Sequence, residues 1–229
     1  MAESMLKRVA DKLRGNFVVL DGPDGSGKTT QLSRLGADLR EVGLDLTCAK
    51  DPGGTQIGER IRSLLLGAQL ERMAPRCEAL LFMASRAQLV AEVVEPAIAA
   101  GRTVLCDRFI SATFAYQGAV GVELDEIREL GQAAVCRTWP DITVILDLPA
   151  DIGLPRAKRS ASAGAPSTSG DQVVADAMER RPLAFHRRVR EIFQQLPEIY
   201  PKPVVVIDAS GTVDEVYQRL LEALERADY

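Results

Sequence analysis

A chain of 229 residues, 46% hydrophobic and 26% charged, can bury a full core, and its formal net charge of −4 offers no broad basic surface to nucleic acid or an anionic membrane. A lone histidine, His186, and four cysteines without a CxxC pair (Cys48, Cys77, Cys106 and Cys136) argue against a histidine-ligated zinc centre, a Ser-His-Asp triad and a disulfide scaffold. No uncharged apolar stretch reaches membrane-spanning length, and the charged N-terminus lacks the apolar region of a secretory signal, so a cytoplasmic protein with small-molecule partners is expected.

In chain order, residues 1–15 (MAESMLKRVADKLRG) form an N-terminal extension before the first strand, FVVLD at 17–21. The segment LDGPDGSGKTTQL (20–32) follows, opening a helix over 28–42. A second strand, LDLTCA at 44–49, leads to helical patterns over 56–66 and 76–100. Then come TVLCD (103–107), a helix over 123–137 and ITVILDL (142–148). The basic run PRAKR (155–159) and the aperiodic SASAGAPSTSGD (160–171) precede a helix over 172–196, the strand VVVID (204–208) and a closing helix over 212–227. Short apolar runs rich in β-branched residues read as buried parallel strands, and their alternation with helices predicts right-handed crossovers. The expected fold is α/β: one domain over 1–229 with a doubly wound, parallel five-stranded sheet of P-loop NTPase type, flanked by helices. The small polar stretch at 160–171 reads as a solvated linker or as part of a flexible lid spanning 155–181.

Gly22, Gly27, Lys28 and Thr29 fit G-x-x-x-x-G-K-[ST] between a strand and a helix, the context that motif requires. Glycines let backbone N–H groups approach phosphate oxygens, the helix N-terminus adds positive potential, and Lys28 neutralises the β and γ phosphates. The nucleotide cradle is therefore Gly22, Asp24, Gly25, Ser26, Gly27, Lys28, Thr29 and Thr30, with the Thr29 hydroxyl suited to Mg²⁺. Asp24 is out of place beside phosphate unless it faces something else, and a sugar hydroxyl would suit it. Phe82 and Arg86 are four apart and could meet one planar base, ring on ring and guanidinium on a carbonyl oxygen; Thr113 and Gln117 share the same spacing.

The sequence resembles the thymidylate kinase family. The segments that carry the resemblance are GPDGSGKTT (22–30), DPGGTQIGERIRSLLL (51–66), EALLFMASRAQLV (78–90), VLCDRFISATFAYQG (104–118), PDITVILDLP (140–149) and FHRRVR (185–190). It implies transfer of a phosphoryl group from ATP to dTMP with Mg²⁺, usually by a homodimer, with no role for nucleic acid or a membrane. By resemblance, Arg62 and Arg108 contact the acceptor phosphate and Asp107 lies near Mg²⁺ with Thr29. Phe82 stacks on thymine, Arg86 binds its O4, Gln117 bonds the ring with Thr113 beside it, Tyr116 disfavours a 2′-hydroxyl and Asp24 holds the 3′-hydroxyl. The catalytic set is Lys28, Asp107, Arg108 and a lid cation.

The family commonly carries Asp/Asn-Arg-x-Asp/Glu in the lid, where this chain has Asp176, Ala177, Met178 and Glu179. With no arginine between the P-loop glycines either, Arg156 is the first candidate for the missing cation, with Lys158, Arg159, Arg180 and Arg181 as alternatives. Lys50 and Asp51, where the family usually has Arg-Glu, and Phe109 and Ala112 also depart from the usual pattern. A kinase for another nucleoside monophosphate and a nucleotide-binding protein that has lost catalysis are the rival readings; a GTPase is disfavoured because no NKxD-like segment is present.

Overall fold

The computed structural model describes residues 2–67, 73–162 and 180–229. Five parallel strands, β1 (Phe17–Asp21), β2 (Leu46–Lys50), β3 (Thr103–Asp107), β4 (Ile142–Asp147) and β5 (Val204–Asp208), pair in the order β2-β3-β1-β4-β5. Every residue of β1 and β3 is buried, which is why both read as unbroken apolar runs; the edge strands β2 and β5 are only partly covered. Alternate residues of β1 face opposite cores. Phe17 and Val19 pack with Val104, Cys106 and Ile145 on one side, while Val18 and Leu20 pack with Leu105, Val144 and Leu146 on the other.

The second face is covered by α1 (Ala2–Leu13), α2 (Lys28–Glu41) and α10 (Val213–Arg226). A Thr212–Glu215 capping box starts α10, and Val216, Tyr217, Leu220, Leu221 and Leu224 form its buried stripe. The N-terminal extension is mostly α1. Its residues Leu6, Val9, Ala10 and Leu13 carry helical spacing, and Lys12 Nζ reaches the Glu225 carbonyl at 2.8 Å to tie it to the end of α10.

The first face carries α3 (Gln56–Leu66), α4 (Pro75–Leu89), α5 (Glu95–Ala99), α6 (Ile110–Ala119), α7 (Leu124–Val135) and α9 (Leu183–Ile199). The expected helix over 76–100 is continuous in direction but contains a π turn at Val90–Val94, just before Pro96, whose missing N–H cannot close an ordinary α-helical bond. Helix α6 was not foreseen as an element because it is buried on most sides, Ser111, Thr113 and Gln117 included, so no exposed polar face sets a period. A further helix, α8 (Ala150–Ser162), takes up the basic run and the first residues of the expected loop. The remainder of that loop, the Ala177 position and the start of the expected 172–196 helix lie outside the described residues.

The carboxyl ends of β1, β2 and β3 bring Asp21, Lys50 and Asp107 to one edge, Lys50 opposite Asp107 and Asp107 opposite Leu20 in the strand register. An open α/β sheet binds ligands at this edge.

Candidate active site

The loop from β1 to α2 is shaped by close approach. Gly22 sits at φ 141° with the Leu146 carbonyl oxygen only 2.5 Å from where a Cβ would project, and a Cβ on Gly25 would fall 2.0 Å from the Gly153 carbonyl oxygen of α8. Gly27, in the left-handed region at φ 90°, caps α2 without a side-chain bond and leaves that helix's first N–H groups facing the loop. Lys28 Nζ donates to the carbonyl oxygens of Gly22 (3.0 Å) and Pro23 (2.8 Å) across this ring. Burial, followed by the charge of Arg108, pulls the Lys28 ammonium down to about 8. Thr29 and Thr30 are exposed at the start of α2, and the Thr29 hydroxyl donates to Asp107 Oδ2 at 2.9 Å.

Arg108 follows β3 directly, in the left-handed region at φ 68°, a conformation that costs a non-glycine residue about 1–2 kcal/mol. Its guanidinium is held on several sides: Nη1 donates to Asp21 Oδ1 and the Gly22 carbonyl, each at 3.2 Å, and Nη2 to Asp24 Oδ1 and, at 3.4 Å, to Tyr116 Oη. Burial would raise the Asp24 carboxyl, but Arg108 and then Lys28 outweigh it and leave it below its ordinary value. Asp21 goes the other way, because its complete burial exceeds the pull of Arg108. Tyr116 is fixed from behind by Phe185 and Phe193 of α9, edge-on at 6.1 and 6.2 Å.

A second group lies between α4 and α6. Arg86, 1% exposed, donates through Nε to Asp51 Oδ2 at 2.7 Å, through Nη2 to the Phe109 carbonyl at 3.0 Å and through Nη1 to Met83 Sδ at 3.0 Å. Phe82, one turn before it, is half-buried against the first-face core. Gln117 Nε2 donates to Glu78 Oε1 at 2.9 Å, and Arg181 Nη2 reaches the other oxygen of Glu78 at 3.3 Å. Thr113 is buried. Its Oγ1, Asp24 Oδ2 and Ser26 Oγ are buried polar atoms without a partner among the described residues, and a water, an ion or a ligand would satisfy them.

The PGGT segment joins β2 to α3. Thr55 caps α3 by accepting from the Gly58 N–H at 2.9 Å, Gly54 N–H donates to Glu59 Oε1 at 2.8 Å, and Arg62 Nη1 donates to the Pro52 carbonyl at 2.9 Å. Arg156 lies half-buried on α8, one turn beyond Gly153, and makes no hydrogen bond or ion pair among the described residues. Four of the six segments that carry the resemblance, 22–30, 51–66, 78–90 and 104–118, therefore meet at the carboxyl edge, with Arg156 on the helix that abuts the P-loop.

A family model described as thymidylate kinase matches residues 20–220, which takes in every one of these segments. The chain belongs to the thymidylate kinase family. Curated relatives carrying that name include proteins from Desulfosudis oleivorans, 42% identical over 211 residues, and Deinococcus radiodurans, 42% identical over 212; these alignments cover 92% of this chain and 96% and 97% of the relatives. A thymidylate kinase from a Geobacillus species is 38% identical over 213 residues, 93% of this chain and 97% of its own.

Asp21, Asp51 and Glu78 hold side chains of this candidate site and were not assigned to it from the sequence. Asp21 carried a signal, an acid ending a fully apolar strand next to the phosphate loop. Asp51 and Glu78 each open a segment that carries the family resemblance, but no role could be read for them because their partners Arg86, Gln117 and Arg181 are 35, 39 and 103 residues away in sequence.

Proposed function

We propose that the protein transfers the γ-phosphoryl group of ATP to dTMP, forming ADP and dTDP, with Mg²⁺. The observation that carries this reading is the convergence of Lys28, the Thr29–Asp107 pair and Arg108 on the P-loop of a chain whose family is thymidylate kinase. The Thr29 hydroxyl and Asp107 carboxylate are hard oxygen donors and suit Mg²⁺, which commonly takes one or two protein oxygens and fills its shell with phosphate and water. No cluster of three or more His, Cys, Asp or Glu side chains suited to a metal occurs among the described residues. The ion would offset charge on the phosphate oxygens during transfer.

The dTMP phosphate is already anionic, so its oxygen can attack the γ-phosphorus without a general base; that O–P bond forms as the bond to the β–γ bridging oxygen breaks. Binding and charge placement are what remain for the protein. Lys28 neutralises the β and γ phosphates. Arg108, oriented by Asp21 and Asp24, and Arg62 from α3 hold the acceptor phosphate. Asp24 Oδ2 accepts from the sugar 3′-hydroxyl. Phe82 stacks on the base, Arg86 retains a hydrogen on Nη1 for thymine O4, Gln117 bonds the ring next to Thr113, and Tyr116 fills the space beside C2′. Arg156 supplies the cation that the P-loop lacks. Homodimeric assembly is part of the proposal, supported by family likeness and by Ile57, Leu64 and Leu80 exposed on α3 and α4, as is a cytoplasmic location.

A coupled ADP-release assay with dTMP, dUMP, dCMP and dGMP tests this function. Mg²⁺-dependent turnover that is highest with dTMP is expected; a purified, folded protein that releases no ADP with dTMP overturns it.

A further inference from the structure

Glu78 is a carboxylate 1% exposed in the first turn of α4, where the positive end of the helix favours an anion. It joins two other elements. Gln117 Nε2 on α6 donates to Oε1 at 2.9 Å, and Arg181 Nη2, just before α9, donates to Oε2 at 3.3 Å. Arg181 is itself steadied over the Phe185 ring, 4.7 Å from its centroid.

An amide side chain has two different ends, an NH₂ that donates and an oxygen that accepts, and they exchange places by a half-turn. A carboxylate paired with a guanidinium only accepts, so it will receive the NH₂ of Gln117 and repel its oxygen. The Gln117 amide is therefore held in one of its two orientations, and Oε1 has no hydrogen-bond partner among the described residues. We propose that Glu78 is a positioning residue for base selection: by fixing the amide of Gln117 it presents an acceptor to the nucleotide ring and so selects a pyrimidine whose N3 carries a hydrogen. This rests on the dTMP reading above. Thymine N3 is a donor, whereas cytosine N3 is an acceptor and would meet the Gln117 oxygen lone pair to lone pair. Arg181 places the same buried anion in contact with the segment that enters α9, so base selection and the entrance to that helix share one carboxylate.

The test is kcat/KM for dTMP and dCMP in the parent protein, in Glu78→Gln, in Gln117→Ala and in the double variant. Glutamine at 78 keeps the shape but can face Gln117 with either end, which frees the Gln117 amide to turn. The dCMP-to-dTMP ratio of kcat/KM should rise about tenfold or more in E78Q, the size expected for removing a mismatched buried hydrogen bond. It should not rise further when E78Q is added to Q117A. An unchanged ratio in E78Q, or an equal rise in both backgrounds, overturns the proposal, since a general loss of structure lowers both substrates together. A parent protein inactive with dTMP overturns the reaction and this assignment with it, whereas an active parent with an unmoved ratio overturns the assignment alone.

If E78Q does not fold, the intact protein supplies the answer. N3-methyl-dTMP, with no hydrogen to donate, should bind about tenfold more weakly than dTMP to the parent but not to Q117A. Equal binding of the two ligands to the parent excludes an acceptor at that position and overturns the proposal.

Discussion

Arg86 and Asp51 form an ion pair with almost no access to water: Arg86 Nη2 lies 2.5 Å from Asp51 Oδ2, and the side chains are 1% and 0% exposed. Removing one partner strands a buried charge. Asp51→Ala should lower stability by about 3–5 kcal/mol in urea unfolding, well beyond the cost of a surface change. Arg86→Ala should raise KM for dTMP about tenfold or more through loss of a charged hydrogen bond, with a smaller effect on KM for ATP. A KM for dTMP equal to that of the parent removes Arg86 from the base site.

Lys28 gives a prediction of two opposite signs. Its ammonium has an ordinary value of 10.5 and is lowered to about 8 by burial and by Arg108. Between these values the unfolded chain binds a proton that the folded one does not, so the Lys28 contribution to stability rises as pH increases through this window. The same deprotonation removes a charge matched to the transferring phosphate, so kcat/KM for ATP should fall above about pH 8. Comparing unfolding of the parent and Lys28→Met across pH checks the first half, and a flat difference refutes it. At neutral pH, Lys28→Ala should lower kcat by about 100-fold or more.

Arg108 separates backbone from side chain. Arg108→Ala and Arg108→Gly both lose the guanidinium that Asp21 and Asp24 orient, and kcat should fall about 100-fold in each. Only glycine is at ease with φ 68°, so the glycine variant should be about 1 kcal/mol more stable than the alanine variant. Chemical denaturation of the pair decides it; equal stabilities would show that the left-handed backbone relaxes once the arginine is gone.

Tyr116 should separate deoxyribose from ribose by bulk. Its ring is wedged between Arg108 and the α9 aromatics Phe185 and Phe193. Tyr116→Phe should keep the dTMP preference over the ribonucleotide, while Tyr116→Ala should narrow it and lose about 3–5 kcal/mol of stability. The same preference in all three proteins assigns sugar selection elsewhere.

Arg156→Ala should reduce kcat much more than it raises either KM, as expected of a group used only in the transition state. Parent-like turnover would transfer the role to Arg180 or Arg181, each testable by the same substitution.

The strand pattern was open to reading because most of the strands are short, apolar and β-branched, and β1 and β3 begin and end where their runs do, whereas the edge strand β2 (LTCAK) begins two residues after its expected start. Lys28 and Thr29 were equally open, since their chemistry depends on neighbours within one turn of chain. Helix α6 was hidden by burial on most sides, and α1 by its place ahead of the motif, although Leu6, Val9 and Leu13 spell out its stripe. Glu78 shows why the remainder could not be read. A glutamate in a helix's first turn is ordinary, and it gains meaning only when α6 and the start of α9 fold against it.

A single methyl on Gly25 would collide with the Gly153 carbonyl, and one on Gly153 with the carbonyl of Asp24, the residue before Gly25. Each of the two positions, 128 residues apart, is therefore closed to a side chain on its own account: either substitution demands that the start of α8 move away from the P-loop. Across descendants of this sequence both positions should stay glycine while the residues between α8 and α9 vary, so an insertion or recombination there would inherit an unchanged point of attachment beside the P-loop.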